Sequence, residues 1–130
     1  MSVYLWIAVG GALGSLLRFA LSSAATQAWG QAFPWGTLAV NVLGSFLIGF
    51  FAAYVMTGGK VTVRSEVWHF VTTGVLGGFT TFSSFSLQTL QLARDGSWGR
   101  AGANIALSLV ACFAAVWVGF AAMGWLRSRG

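Results

Sequence analysis

The 130-residue chain is 57% hydrophobic and only 7% charged, where a soluble domain has about a quarter of its residues charged. With a mean hydropathy of +0.79, this excludes an ordinary soluble domain and leaves a membrane protein of one small domain, residues 1–130. The net charge of +5 does not signal nucleic-acid binding: the seven basic residues are scattered, with no stripe or cluster to follow a phosphate backbone, and they read as anchors beside anionic headgroups.

The first element covers about residues 3–26. No basic residue precedes it and Arg18 falls inside it, so it reads as a retained helix and not as a cleaved signal. Gly11, Gly14, Ser15 and Arg18 share one face at i, i+3, i+4 and i+7. Small residues let helix backbones approach closely in lipid. An arginine at this depth either snorkels to the near interface or faces protein and water. Either way it leaves a positive charge that attracts anions to a vestibule.

Residues 19–59 carry no charge, too long a run for one span of about 20 residues. A loop at Gln27–Pro34 divides it, and Pro34, the only proline, marks the start of a second helix over about 35–57. Asn41, Ser45 and Gly49 line one face, with Gly44 beside them. The Asn41 amide serves either as glue between helices or as a donor to a solute.

After a polar loop at Gly58–Ser65, the third helix covers about 66–93. Six of the eleven residues from Phe79 to Thr89 carry hydroxyls, and Phe79, Phe82 and Phe85 recur at every third position. A span that only had to sit in lipid would be Leu, Ile and Val. The Gly77-Gly78 pair can open the helix and free backbone carbonyls, which at membrane depth requires burial in protein or a cavity to line. Phenyl ring edges carry partial positive charge. They can meet a small anion without trapping it, and conduction needs binding weak enough to leave. The combination suits a narrow path for a small polar solute, although aromatic stripes more often only fill space.

Arg94–Arg100 is a short loop, and the fourth helix covers about 101–126, with Asn104, Ser108 and Cys112 in a weakly polar track. Most of the seven tryptophans fall near span ends, where indoles prefer the headgroup level. With four spans, one side holds Lys60, Arg64, Arg127 and Arg129, and the other Arg94 and Arg100, joined by Arg18 if it reaches that way. Four against three is almost no bias under the positive-inside rule. The count fits either a weak preference or a homodimer of oppositely inserted copies.

Several classes are excluded. His69 and Cys112, one of each kind, cannot build an ordinary zinc site, and no catalytic triad is present. The only acids, Glu66 and Asp95, lie near span ends, whereas a proton-coupled exporter needs a carboxylate in mid-membrane. A four-span multidrug-type exporter would carry a glutamate in its first span, and residues 1–17 have none. A membrane adaptor would not need the stripe of hydroxyls and rings.

The segments WGTLAVNVLGSFLIG (35–49) and GVLGGFTTFSSFS (74–86), joined by GGALGSLLR (10–18), resemble the Fluc, or CrcB, family of fluoride channels. The resemblance covers nearly the whole chain. It implies an all-α membrane protein with four transmembrane helices per subunit, the third broken near Gly77–Thr80, paired as an antiparallel, dual-topology homodimer. It also implies two pores exporting fluoride passively through the cell membrane, the inner membrane in a bacterium, and a structural sodium ion (Na+) at the dimer centre. Matched by motif, Phe82 and Phe85 are the pore rings, Asn41 the pore asparagine, Ser108 part of the polar track and Arg18 the first-helix arginine. Thr81, Ser83 and Ser86 supply nearby hydroxyls, and Gly77 and Thr80 offer the sodium its carbonyls. Three positions depart from the pattern. Gln88 stands where a glutamate is expected, and Asn104 and Cys112 replace aromatic and hydroxyl residues of the track.

Overall fold

The structure is a computed structural model, and it describes residues 2–56 and 63–129. The expected loop at Gly58–Ser65 therefore lies largely outside the described residues, Lys60 included. Among the described residues, three continuous helices are long and apolar enough to cross a membrane: α1 (Val3–Trp29), α2 (Trp35–Met56) and α6 (Trp98–Ser128). The expected third helix is a run of pieces. It begins with α3 (Ser65–His69), passes through a π-helical segment (Phe70–Leu76) and continues as α4 (Gly77–Phe79). After an interruption it resumes as α5 (Phe82–Arg94).

Backbone chemistry explains the ends of these elements. Leu38 N–H bonds the Pro34 carbonyl at 3.1 Å, so the proline opens α2 as expected, at a position where its missing N–H costs nothing. Gly30 closes α1 with φ of 81°. Gly96, at φ of 75°, turns the chain after α5, and Ser97 N–H bonds the Leu92 carbonyl at 2.9 Å. Both glycines occupy the left-handed region that a side chain disfavours. Within the π segment Thr72 donates its hydroxyl to the Trp68 carbonyl at 2.8 Å, a back-bond that competes for the acceptor of a helical bond.

Glycine governs how closely the helices approach. A methyl group on Gly49 of α2 would strike the Val116 carbonyl, and one on Gly119 of α6 would strike the Phe46 carbonyl. The two helices thus seat backbone against backbone, with Val40 and Ala53 fully buried. On α1, Gly10 and Gly14 meet the carbonyls of Phe70 and Val75, and Gly11 lies against Gly78. The small face of α1 thereby runs along the segmented span. Such contacts favour helix association in lipid, where water supplies no hydrophobic drive between helices.

The outside of this bundle is apolar. Phe19 is 74% exposed and Trp117 75%, acceptable for surfaces turned to lipid or to another subunit, and not to water. Aromatic residues gather at the α1–α2 turn, where the Phe33 and Trp35 rings lie 4.7 Å apart. Arg127 stacks over Tyr54 at 4.9 Å and Arg129 over Trp125 at 4.0 Å, cation–π contacts that suit an interface.

Candidate functional site

The glycine pair is not where the helix breaks. The backbone stays helical through Gly77 and Gly78 and becomes extended at Thr80 (ψ 160°) and Thr81 (φ −153°, ψ 112°). Gly78 answers a different demand, since a side chain there would collide with the Gly11 backbone. The break is held by Asn41 of α2. Its Oδ1 accepts the Thr81 N–H at 2.8 Å, and its Nδ2 donates to the Thr81 carbonyl at 3.0 Å. In a continuing helix that N–H would bond the Gly77 carbonyl. Asn41 diverts it, so the Gly77 carbonyl loses its helical donor. The amide is therefore glue, as one sequence reading had it, with one Nδ2 hydrogen left over.

Beyond the break, Thr81 caps α5. Its Oγ1 accepts the Ser84 N–H at 3.1 Å and donates to Ser84 Oγ at 3.0 Å. With its hydrogen spent, the 3.2 Å contact to Ser83 Oγ makes Ser83 the donor. This N-cap satisfies one of the first amides of the helix. The N-terminal end of α5 carries the positive end of the helix dipole, and its first residues include Phe82 and Phe85.

A cleft of about 370 Å³ opens beside the break. It brings together Asn41, Gly77, Thr80, Thr81, Phe82, Phe85 and Ser108, with Cys112 deeper along α6. The two rings touch at a centroid distance of 5.3 Å with planes at 54°, yet they are not equivalent. Phe85 is 9% exposed and Phe82 74%, so one ring is fixed within the chain and the other stands on its surface. Phe79, the first of the expected trio, precedes the break and is buried near Gly44.

Arg18 resolves inward: its Nη1 lies 3.5 Å from the Thr80 carbonyl, behind the break. Ser86 does not line the cleft. It is exposed and donates to the Phe82 carbonyl at 2.9 Å, leaving its lone pairs outward. The polar track divides. Ser108 and Cys112 line the cleft, whereas Asn104 is 1% exposed and bonds Thr89 Oγ1 at 2.8 Å. Gln88 does not reach the cleft either, and its buried Oε1 has no partner among the described residues. Sequence reasoning missed Ser84, and it placed Thr89 on the stripe with Phe82 and Phe85 without its bond to Asn104; a hydroxyl spacing of three and fifteen residues from their partners carries no distinctive signal.

Chemically, the arrangement offers a spare amide hydrogen, hydroxyl groups held by internal bonds, two phenyl rings, the positive end of a helix and a neighbouring guanidinium, with no carboxylate among the residues that line it. It favours a small anion that must exchange its water for protein donors. A family model described as CrcB-like protein, camphor resistance (CrcB), matches residues 5–120. The chain is 62% identical over 128 residues to the fluoride-specific ion channel FluC of Opitutus terrae, covering 98% of this chain and 97% of that protein. It is 53% identical to the fluoride-specific ion channel FluC of Methylocella silvestris, over 89% of this chain and 88% of the relative. With the protein of the same name from Rhodospirillum rubrum the identity is 52%, over 89% and 90%.

Proposed function

The chain belongs to the CrcB family, and we propose that it is a fluoride-selective channel of the cell membrane, built as an antiparallel homodimer whose subunits cross the bilayer four times. It is a transport protein and not an enzyme. The observation that carries the reading is the break at Thr80–Thr81, held open by Asn41 beside a cleft faced by two phenyl rings. Fluoride is small and strongly hydrated, so passage requires donors that replace its water and then release it. The spare Asn41 hydrogen, the Ser108 hydroxyl and the edges of Phe82 and Phe85 fill that role, while Thr81 and Ser83, whose hydrogens are spent within the cap and of which only Thr81 lines the cleft, hold the break in shape. Arg18 draws anions toward the entrance. Narrowness then rejects chloride.

The exposed ring of Phe82 supports a second subunit, because a 74% exposed phenylalanine at the mouth of this largely apolar cleft needs a wall that one copy does not supply. The even division of basic residues supports opposite insertion of the two copies. The carbonyls of Gly77 and Thr80 would hold a structural sodium ion where the copies meet. The fit is chemical: the Gly77 oxygen has lost its helical donor, and the Thr80 oxygen, with two lone pairs, has one left beside the Arg18 contact at 3.5 Å. Unwound carbonyls of broken helices are suitable sodium ligands. Bound there, the ion would neutralise converging carbonyl dipoles.

The experiment is fluoride efflux from liposomes holding the purified protein. Loss of fluoride is expected as soon as a potassium ionophore clamps the voltage, with chloride retained. Efflux that required a pH gradient would replace the channel with an exchanger.

A further inference from the structure

Behind the cleft, a chain of hydrogen bonds joins α5 to α6 with a fixed direction. Thr89 donates its hydroxyl to the Phe85 carbonyl at 2.7 Å. A carbonyl only accepts and a threonine has one hydroxyl hydrogen, so that hydrogen is spent. Thr89 Oγ1 therefore accepts from Asn104, whose Nδ2 lies 2.8 Å away. The amide orientation follows, and Oδ1 faces Ser108. The 3.5 Å contact from Ser108 Oγ to Asn104 Oδ1 then has Ser108 as its donor. Ser108 lines the cleft, but its hydrogen points away from it and its lone pairs remain for the lumen, the wrong polarity for an anion.

We propose that Asn104 is a positioning residue that draws the Ser108 hydroxyl hydrogen out of the lumen between passages and yields it when an anion arrives. The proposal rests on the fluoride-channel reading. At 3.5 Å the Ser108–Asn104 bond is at the limit of a hydrogen bond, so it is readily exchanged for one to fluoride. The exchange makes Ser108 a transient donor, and the binding stays weak enough for conduction. Thr89 matters because it alone fixes which end of the Asn104 amide faces Ser108. Asn104 is 1% exposed and does not line the cleft, so its influence on the ion passes through Ser108.

The test measures fluoride current against fluoride concentration for the full-length channel in bilayers. Thr89→Val removes the acceptor that orients the amide, and Asn104→Leu removes the amide itself. Each frees the Ser108 hydrogen for the lumen. Each is expected to lower the half-saturating fluoride concentration about two- to tenfold, the range of one net hydrogen bond, and to lower the maximal current. A loss of packing would reduce the amount of active channel and leave half-saturation in place. In a Ser108→Ala background both shifts should vanish, since coupled residues are non-additive. Shifts that persist without Ser108, or a half-saturation unchanged in Thr89→Val, overturn the role of Asn104 while the parent channel still conducts. A parent that carries no fluoride overturns the channel reading and this inference with it.

Discussion

Replacing Asn41 by leucine tests whether the break is an imposed structure or a pliable one. The substitution keeps the branched shape of the side chain, slightly enlarged, and deletes both contacts to Thr81, at 2.8 and 3.0 Å. The Thr81 N–H is then left in the interior with no acceptor, at a cost of about 1–3 kcal/mol. Its carbonyl fares better, because an N-cap carbonyl already accepts the first bond of its helix; losing the second donor costs about 0.5–1.5 kcal/mol. Together the loss is about 3 kcal/mol, large for a chain of 130 residues. Thermal unfolding in detergent should show a clearly lower midpoint, and fluoride efflux from liposomes should fall at least tenfold. The comparison is Ser45→Ala, which alters the same cleft wall without touching the clamp and should leave the midpoint near that of the parent. If Asn41→Leu unfolds like the parent while losing flux, the amide serves the ion alone and the clamp reasoning is wrong.

The rings of Phe82 and Phe85 should matter as rings: Phe85→Ile keeps apolar bulk, removes the polarised edge and should cut flux steeply while the protein still assembles. If Phe82→Met and Phe85→Met both fold and conduct like the parent, the stripe only fills space. Within α6, Gly119→Ala should destabilise by about 1–3 kcal/mol through its clash with the Phe46 carbonyl, and Gly124→Ala, with open space around it, should be neutral in the same melt. Adding two or three lysines to the loop at 94–100 should bias insertion and lower activity until an oppositely biased copy is co-expressed; full activity from a single orientation would rule out the antiparallel pair.

The spans were legible because long apolar runs broken by Pro34 and by short polar stretches leave few alternatives, and three of them stand as continuous helices. The break was legible only approximately. Glycines drew attention to residues 77 and 78, but the backbone opens at Thr80 and Thr81, and its cause is an amide 40 residues earlier in the chain. Propensity describes neighbours and cannot report such a partner. The π segment Phe70–Leu76 carries no such punctuation in its residues. Spacing placed Asn104, Ser108 and Cys112 on one face, and the structure keeps Ser108 and Cys112 at the cleft while Asn104 turns to Thr89. That division arises from how α5 lies against α6, which helical periodicity does not encode. The different exposures of Phe82 and Phe85 have the same origin.

The π-helical stretch Phe70–Leu76 also gives the chain an uneven tolerance to changes in length. In an α-helix each residue advances about 100° around the axis, so deleting one residue before Arg18 in α1 would swing the guanidinium away from the Thr80 carbonyl. A π turn holds a residue in excess of the α-helical count. Removing one residue between Phe70 and Leu76 would let that stretch relax to ordinary α geometry with α3 and α4 still in phase. The segmented span, which carries the break, is thus the one in which the chain can lose a residue without turning the rest of the helix out of register.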